Sequence, residues 1–218
     1  MRPTQAHFLR VSAEKESKAE LEHLENATEY EKMLYLLARY KKEISNIQSR
    51  EQLAEIKKKI LPEFLPWIEG ALTGGTGKQD HVLMTWQVWA IDCDEFHLAL
   101  QIADYAIHQD LALPSNFSRT VPTMLAEEFA DKAKKKHSAN QRFEVSYLEQ
   151  VQRLTADCDI FDESRARLLR ELGLEQIHTD PKQALATLER ALQLDNNIGV
   201  KGEIKKLRKQ LEKADNTE

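Results

Sequence analysis

Three groupings of side chains in this chain are of the types that do chemistry. The first is acidic: Asp92, Asp94 and Glu95 with His97 beside them, and Asp80 and His81 about a helix upstream. Two-metal nucleases converge several carboxylates on a pair of ions roughly 4 Å apart, so Asp92, Asp94 and Glu95 are the candidate ligands for Mg2+. An Asp-rich turn between helices also arises for capping alone, with Asp94 accepting from the free amides that open the next helix. Capping is the simpler reading. The second grouping is the loop Gly74-Gly75-Thr76-Gly77-Lys78. A phosphate-cradling loop needs G-x-x-x-x-G-K-[ST] after a strand. Here Leu72 stands where the first glycine belongs, Gln79 follows Lys78, and no strand precedes, so a flexible turn is expected.

The third grouping is basic. KAKKKHSANQR, from Lys132 to Arg142, carries five basic residues and no acidic one. Arg39 to Lys59 has seven basic residues against three acidic, and Lys201 to Lys213 has six against two. Excess lysine neutralises phosphates without reading base sequence, although most such runs are solvated helix faces. Lys132, Lys134, Lys135, Lys136 and Arg142 have no local acid to cancel them and are the first candidates for a DNA contact. Lys41, Lys42, Lys57, Lys58 and Lys59 are the second set. No Gly-x-Ser-x-Gly elbow supports a hydrolase, and Cys93, Cys158 and the seven histidines are too scattered for zinc. No catalytic residue and no cofactor is therefore assigned; Mg2+ enters only with the nuclease alternative.

The elements that must position these groups are all helical. The stretch 61–129 holds all three tryptophans and most of the prolines, the concentration expected of a compact core. Before it, Leu34, Leu37, Ile44 and Ile47 recur at helical spacing, and Leu53, Ile56 and Ile60 resume out of phase. Ser49 followed by Gln52 reads as a capping box, so two helices with a break near Ser49 are expected. Their narrow stripes suit an antiparallel hairpin or a seam between subunits. Pro62 and Pro66 read as the first turns of a separate short helix reaching Leu72. Val82 to Ile91 is apolar nearly all round and reads as a buried helix. A second helix through Phe96 and Tyr105 follows, and a third starts at Thr120 or Thr123. Near the C-terminus, Leu172-Gly173, Asp180-Pro181 and Ala184 have the residue types of a tetratricopeptide-like helix pair, and Ile204, Leu207 and Leu211 mark a last amphipathic helix. The expected organisation is an N-terminal arm over 1–28, a self-associating helical hairpin or coiled coil over 29–60, a helical core over 61–156 and a C-terminal hairpin with a final helix over 157–213.

The totals bound the rest. A net charge of −5 argues against a uniformly basic nucleic-acid binder but leaves room for local basic patches. Two distant cysteines fit a reducing compartment, and no apolar run reaches the roughly 18 residues of a membrane span. The expectation is an all-α protein of the cytoplasm.

The order of PTQAHFLRV, LPEFLPWIEG, the glycine loop, QDHVLMTWQVWAIDCDEFHLALQIADYAI, LALP and AEEFADKA resembles the gpM-type small terminase subunits of temperate tailed phages and their prophages. The likeness continues through ALATLERALQLD and GVKGEIKKL. It implies a role in viral DNA packaging: recognition of the cohesive-end site on double-stranded DNA, assembly into a homo-oligomer, and delivery of DNA to the large ATPase subunit. The family is described as the endonuclease subunit, yet no nuclease motif maps onto these residues. Two alternatives stand beside this: a metal-dependent endonuclease at Asp92, Asp94 and Glu95, and a protein adaptor built on the C-terminal helix pair.

Overall fold

The computed structural model describes residues 27–215, which form nine α-helices and no strand. The arm expected over residues 1–28 lies almost wholly outside the described residues. The chain divides into two compact units, Met1–Ile68 and Glu69–Glu218.

The described part of the first unit is an antiparallel hairpin. Helix α1 (Glu29–Ile44) opens on a full capping box, in which Thr28 accepts from the Glu31 amide and Glu31 reaches back to the Thr28 amide. Helix α2 (Arg50–Gly74) begins where Ser49 Oγ accepts from the Gln52 amide, so the break falls where the sequence places it. Tyr30 stacks on Trp67 with centroids 5.5 Å apart, while Tyr40 lies 6.1 Å from Phe64 and donates to Glu63. Pairing that advances on α1 as it retreats on α2 fixes the helices antiparallel. Leu37, Ile44, Ile60, Leu61 and Phe64 are buried.

Helix α2 corrects one expectation. Pro62 and Pro66 do not open a new helix; both lie inside a single helix of 25 residues. A proline removes one amide and crowds the carbonyl four residues back, which usually breaks a helix. These two are four residues apart, hence on one face, and both are exposed. Water can reach the carbonyls they disturb, while buried Ile60, Leu61, Phe64 and Ile68 hold the other face.

In the second unit, α3 (His81–Asp92) is capped by Asp80, whose Oδ1 accepts from the amides of Val82 and Leu83. Nine of its residues are buried, Trp86 and Trp89 edge to face at 5.3 Å among them. It packs on α4 (Phe96–His108). Phe96 then gathers the next elements: its ring is 5.3 Å from Phe129, 5.2 Å from Phe143 and 5.4 Å from Tyr147. Those residues belong to α5 (Val121–Ser138), the turn after it, and α6 (Val145–Leu154). Phe129 and Phe143 are buried here, and burying such a ring contributes about 1.5–3 kcal/mol.

Helices α7 (Asp162–Gln176) and α8 (Pro181–Leu194) form a tight pair. A Cβ on Gly173 would stand 2.7 Å from Leu188, so only glycine permits this approach. Helix α9 (Lys201–Asp215) closes the unit through Val200, Ile204 and Leu207, which share a buried cluster with Ala184 and Leu188.

Candidate nucleic-acid interface

The lysine-rich candidates sit at the end of α5, and the seam between α5 and α7 decides what they are free to do. Ser164 donates to Glu127, Arg167 to Asp131, and Arg142 to Glu175, while His137 Nδ1 lies 3.5 Å from Glu171. The partners are separated by 37, 36, 33 and 34 residues respectively. A near-constant offset means that α5 and α7 run parallel, one helix pair apart. The pairs α5–α6 and α7–α8 therefore stack in succession.

Three glutamates make this seam rigid, because a buried carboxylate is tolerated only when its oxygens are satisfied. Glu127 accepts from Ser164 at 2.7 Å on one oxygen, and its other oxygen, which accepts no hydrogen bond, is compensated by the charge of Arg119 2.6 Å away. Glu171 is 2% exposed, and burial holds its carboxyl above the ordinary value despite the pull of Arg170, His137 and Lys134. Glu175, 1% exposed, accepts the Phe143 amide at 2.9 Å and Arg142 Nε at 3.2 Å, while Arg142 also donates to the Glu175 carbonyl. Between them, Glu171 and Glu175 fix the end of α5 and the turn that follows.

This splits the run 132–142. Lys132 Nζ lies 2.6 Å from Asp94 Oδ1 and 3.2 Å from the Asp92 carbonyl, so its charge is spent on the α3–α4 turn. Arg142 is spent on Glu175. Lys134, Lys135 and Lys136 remain exposed at the last turns of α5 with no ion pair among the described residues. The helix then stops sharply: Asn140 takes a left-handed conformation (φ 54°), and the Gln141 amide returns to the Lys136 carbonyl. In the first unit Lys41, Lys42, Lys58 and Lys59 are exposed, but Lys57 is buried at 7% exposure in the hairpin.

The acidic turn differs from expectation. Asp94 does not cap the start of α4. It adopts φ 62°, its amide bonds to the Ile91 carbonyl, and the Glu95 amide bonds to the Ala90 carbonyl. That is a left-handed closure of α3, in which aspartate substitutes for glycine, and the Asp94 carboxylate holds Lys132. Among the described residues no three His, Cys, Asp or Glu side chains group as they would around a metal ion. Half-buried Glu128, nearby on α5, has its carboxyl raised by burial and by the charges of Asp92 and Asp131.

The glycine loop is a structural turn. Gly77 has φ 71°, its amide donates to the Tyr105 hydroxyl at 3.0 Å, and Gln79 makes two hydrogen bonds of 2.8 Å to the backbone of Ala112. A side chain on Gly77 would collide with Gln109. The tertiary partners of Lys132, Arg142 and Gly77 lie 28 to 40 residues away, where no local pattern signals them.

Residues 34–163 match the model of the phage small terminase subunit family. The chain is 40% identical over 210 residues to a protein of Escherichia phage P2 named "Terminase, endonuclease subunit", covering 96% of this chain and 85% of that protein. It is 24% identical over 171 residues to a probable terminase endonuclease subunit of Haemophilus phage HP1, covering 72% of this chain and 60% of that protein. No solved structure matches. Among the described residues no helix is long and apolar enough to cross a membrane. With an all-helical fold of this order and likeness over most of its length, the chain belongs to the phage small terminase subunit family.

Proposed function

We propose that the protein binds the cohesive-end packaging site of viral double-stranded DNA as a homo-oligomer in the host cytoplasm, and hands that DNA to the large ATPase subunit. The carrying observation is the division of the basic run. Lys132 and Arg142 are paired with Asp94 and Glu175, while Lys134, Lys135 and Lys136 are exposed, with no ion pair among the described residues, on a helix end fixed by buried glutamates. Rigid presentation matters because three modest phosphate contacts gain by repetition: in an oligomer, one patch per subunit is multiplied by avidity. Lys41, Lys42, Lys58 and Lys59 on the hairpin are a second set of candidate contacts.

The test is a salt series on duplex DNA carrying the packaging site. Changing Lys134, Lys135 and Lys136 together to Ala should weaken binding and lower the slope of log K against log salt by about 0.9 for each phosphate released. An unchanged slope would discard the patch. Light scattering with size exclusion, with and without DNA, tests the oligomer; a strict monomer indifferent to DNA at low salt would sink the reading.

The name borne by the relatives motivates a competing reading, endonuclease action with Mg2+ at Asp92, Asp94 and Glu95. Site-specific nicking by the isolated protein that Asp94→Asn abolishes would replace binding alone. Asparagine is the informative change because it tolerates the left-handed turn.

A further inference from the structure

We infer that the outer face of α9 is a second phosphate-binding surface, which tracks one strand of duplex DNA through Lys201, Lys205 and Lys209. This rests on the DNA-binding reading above and adds a site to it. The helix lies beyond residues 34–163 that the family model matches.

The apolar side of α9 packs inward, with Leu211 half-buried near its end. Val200, Ile204 and Leu207 are buried against Ala184 and Leu188, with Leu174, Ile177, Leu185, Leu192 and Ile198 packed around them. Arg208 on its flank is committed to Glu189, 2.6 Å away, and Lys206 lies 3.6 Å from Glu203. Lys213, near the end of the helix, is set aside; Lys201, Lys205 and Lys209 are all exposed and have no ion pair among the described residues. Their four-residue spacing sets them on one stripe, turned away from the buried side. At 1.5 Å of rise per residue, neighbouring ammonium stems stand about 6 Å apart along the axis. That repeat is close to the separation of successive phosphates along one strand.

The exposed face also tells against a protein partner. Protein interfaces are built around a desolvated apolar or aromatic centre. The exposed residues of α9 are Lys201, Gly202, Lys205, Lys206, Arg208, Lys209, Gln210, Glu212 and Lys213, basic but for Gly202, Gln210 and Glu212, and none is aromatic or aliphatic. Lysine as a mobile point charge suits a phosphate backbone bound without sequence readout. The chain direction adds a geometric argument. Helix α7 runs parallel to α5, α8 turns back, and Arg208 to Glu189 with a short connection shows α9 turning back again. So α5, α7 and α9 point the same way, and the Lys134–Lys136 end of α5 and the Lys209 end of α9 lie toward the same end of the unit.

The experiment uses the full-length protein and a duplex with the packaging site, titrated across a salt series. Changing Lys201, Lys205 and Lys209 together to Gln should lower the slope of log K against log salt by about 2.7, at 0.9 for each phosphate contact. The same three residues changed to Arg should keep the slope. Matching thermal melts for wild type and both variants would exclude a folding effect. If wild type binds DNA and the Gln variant keeps the wild-type slope, the inference is overturned while the Lys134–Lys136 reading stands. If the Gln variant keeps that slope but loses affinity for polyglutamate, α9 serves an acidic protein instead, and the inference is again overturned. No salt-dependent binding by wild type overturns both readings.

Discussion

The basic run on α5 and the basic stripe on α9 are built from the same residue type, yet the protein uses them differently. In the run that ends α5 the outer members, Lys132 on the helix and Arg142 in the turn beyond it, are tied to Asp94 and Glu175, although Arg142 stays more than half exposed, while the exposed middle three have no ion pair among the described residues. On α9 a single flank residue, Arg208, bridges to another helix, and the stripe of Lys201, Lys205 and Lys209 is left outside. A count of positive charge therefore overstates both surfaces: two of five basic residues are ion-paired in the first, and Lys206 and Arg208 of six in the second. Whether a lysine or arginine is a tie or a contact depends on which carboxylate the fold brings beside it.

The sharpest way to break this comparison is to remove a tie. Glu175→Ala would strand the Phe143 amide and the Arg142 guanidinium at once, and should cost about 2–3 kcal/mol in chemical denaturation. Lys134, Lys135 and Lys136 changed together to Ala should stay within about 0.5 kcal/mol of wild type. Equal losses in the two variants would mean that the middle lysines are ties as well.

A smaller effect is expected at the other tie. Asp94→Ala loses the Lys132 partner and places alanine in a left-handed turn, for a cost of about 1–2 kcal/mol. Asp94→Gly loses the same carboxylate but fits the turn, so it should melt above the alanine variant. Should glycine prove the worse of the two, the turn is not what Asp94 serves.

Much of the frame was legible because it is local. The Ser49 break, the Asp180-Pro181 start and the apolar ring of α3 all act within one or two turns, where residue type and spacing settle the outcome. Pro62 and Pro66 misled because a rule about breaking helices carries no knowledge of which face is wet. Asp94 misled in a similar way: aspartate favours both a helix start and a left-handed helix end, and only the backbone distinguishes them. The ties could not be read at all. Glu171 and Glu175 look like ordinary surface glutamates on an amphipathic helix until α5 is laid alongside them.

The smallest effect expected would sharpen the comparison by coupling its two sides. Glu171 is buried and its carboxyl is raised above the ordinary value of about 4.5 by that burial, with Arg170, His137 and Lys134 pulling it back. Between the ordinary value and the raised one, the unfolded chain has lost a proton that the folded chain still holds. Stability from this group must then fall as pH rises through that window and level off above it. Glu171→Gln has nothing to titrate, so its stability curve should lack this decline. Lys134→Gln removes one of the charges favouring the ionised form, and should carry the decline to slightly higher pH. In the Glu171→Gln background the same lysine change should leave the curve unmoved. A shift that persists there would show that Lys134 acts on some other group, and that this exposed lysine has a partner in the fold after all.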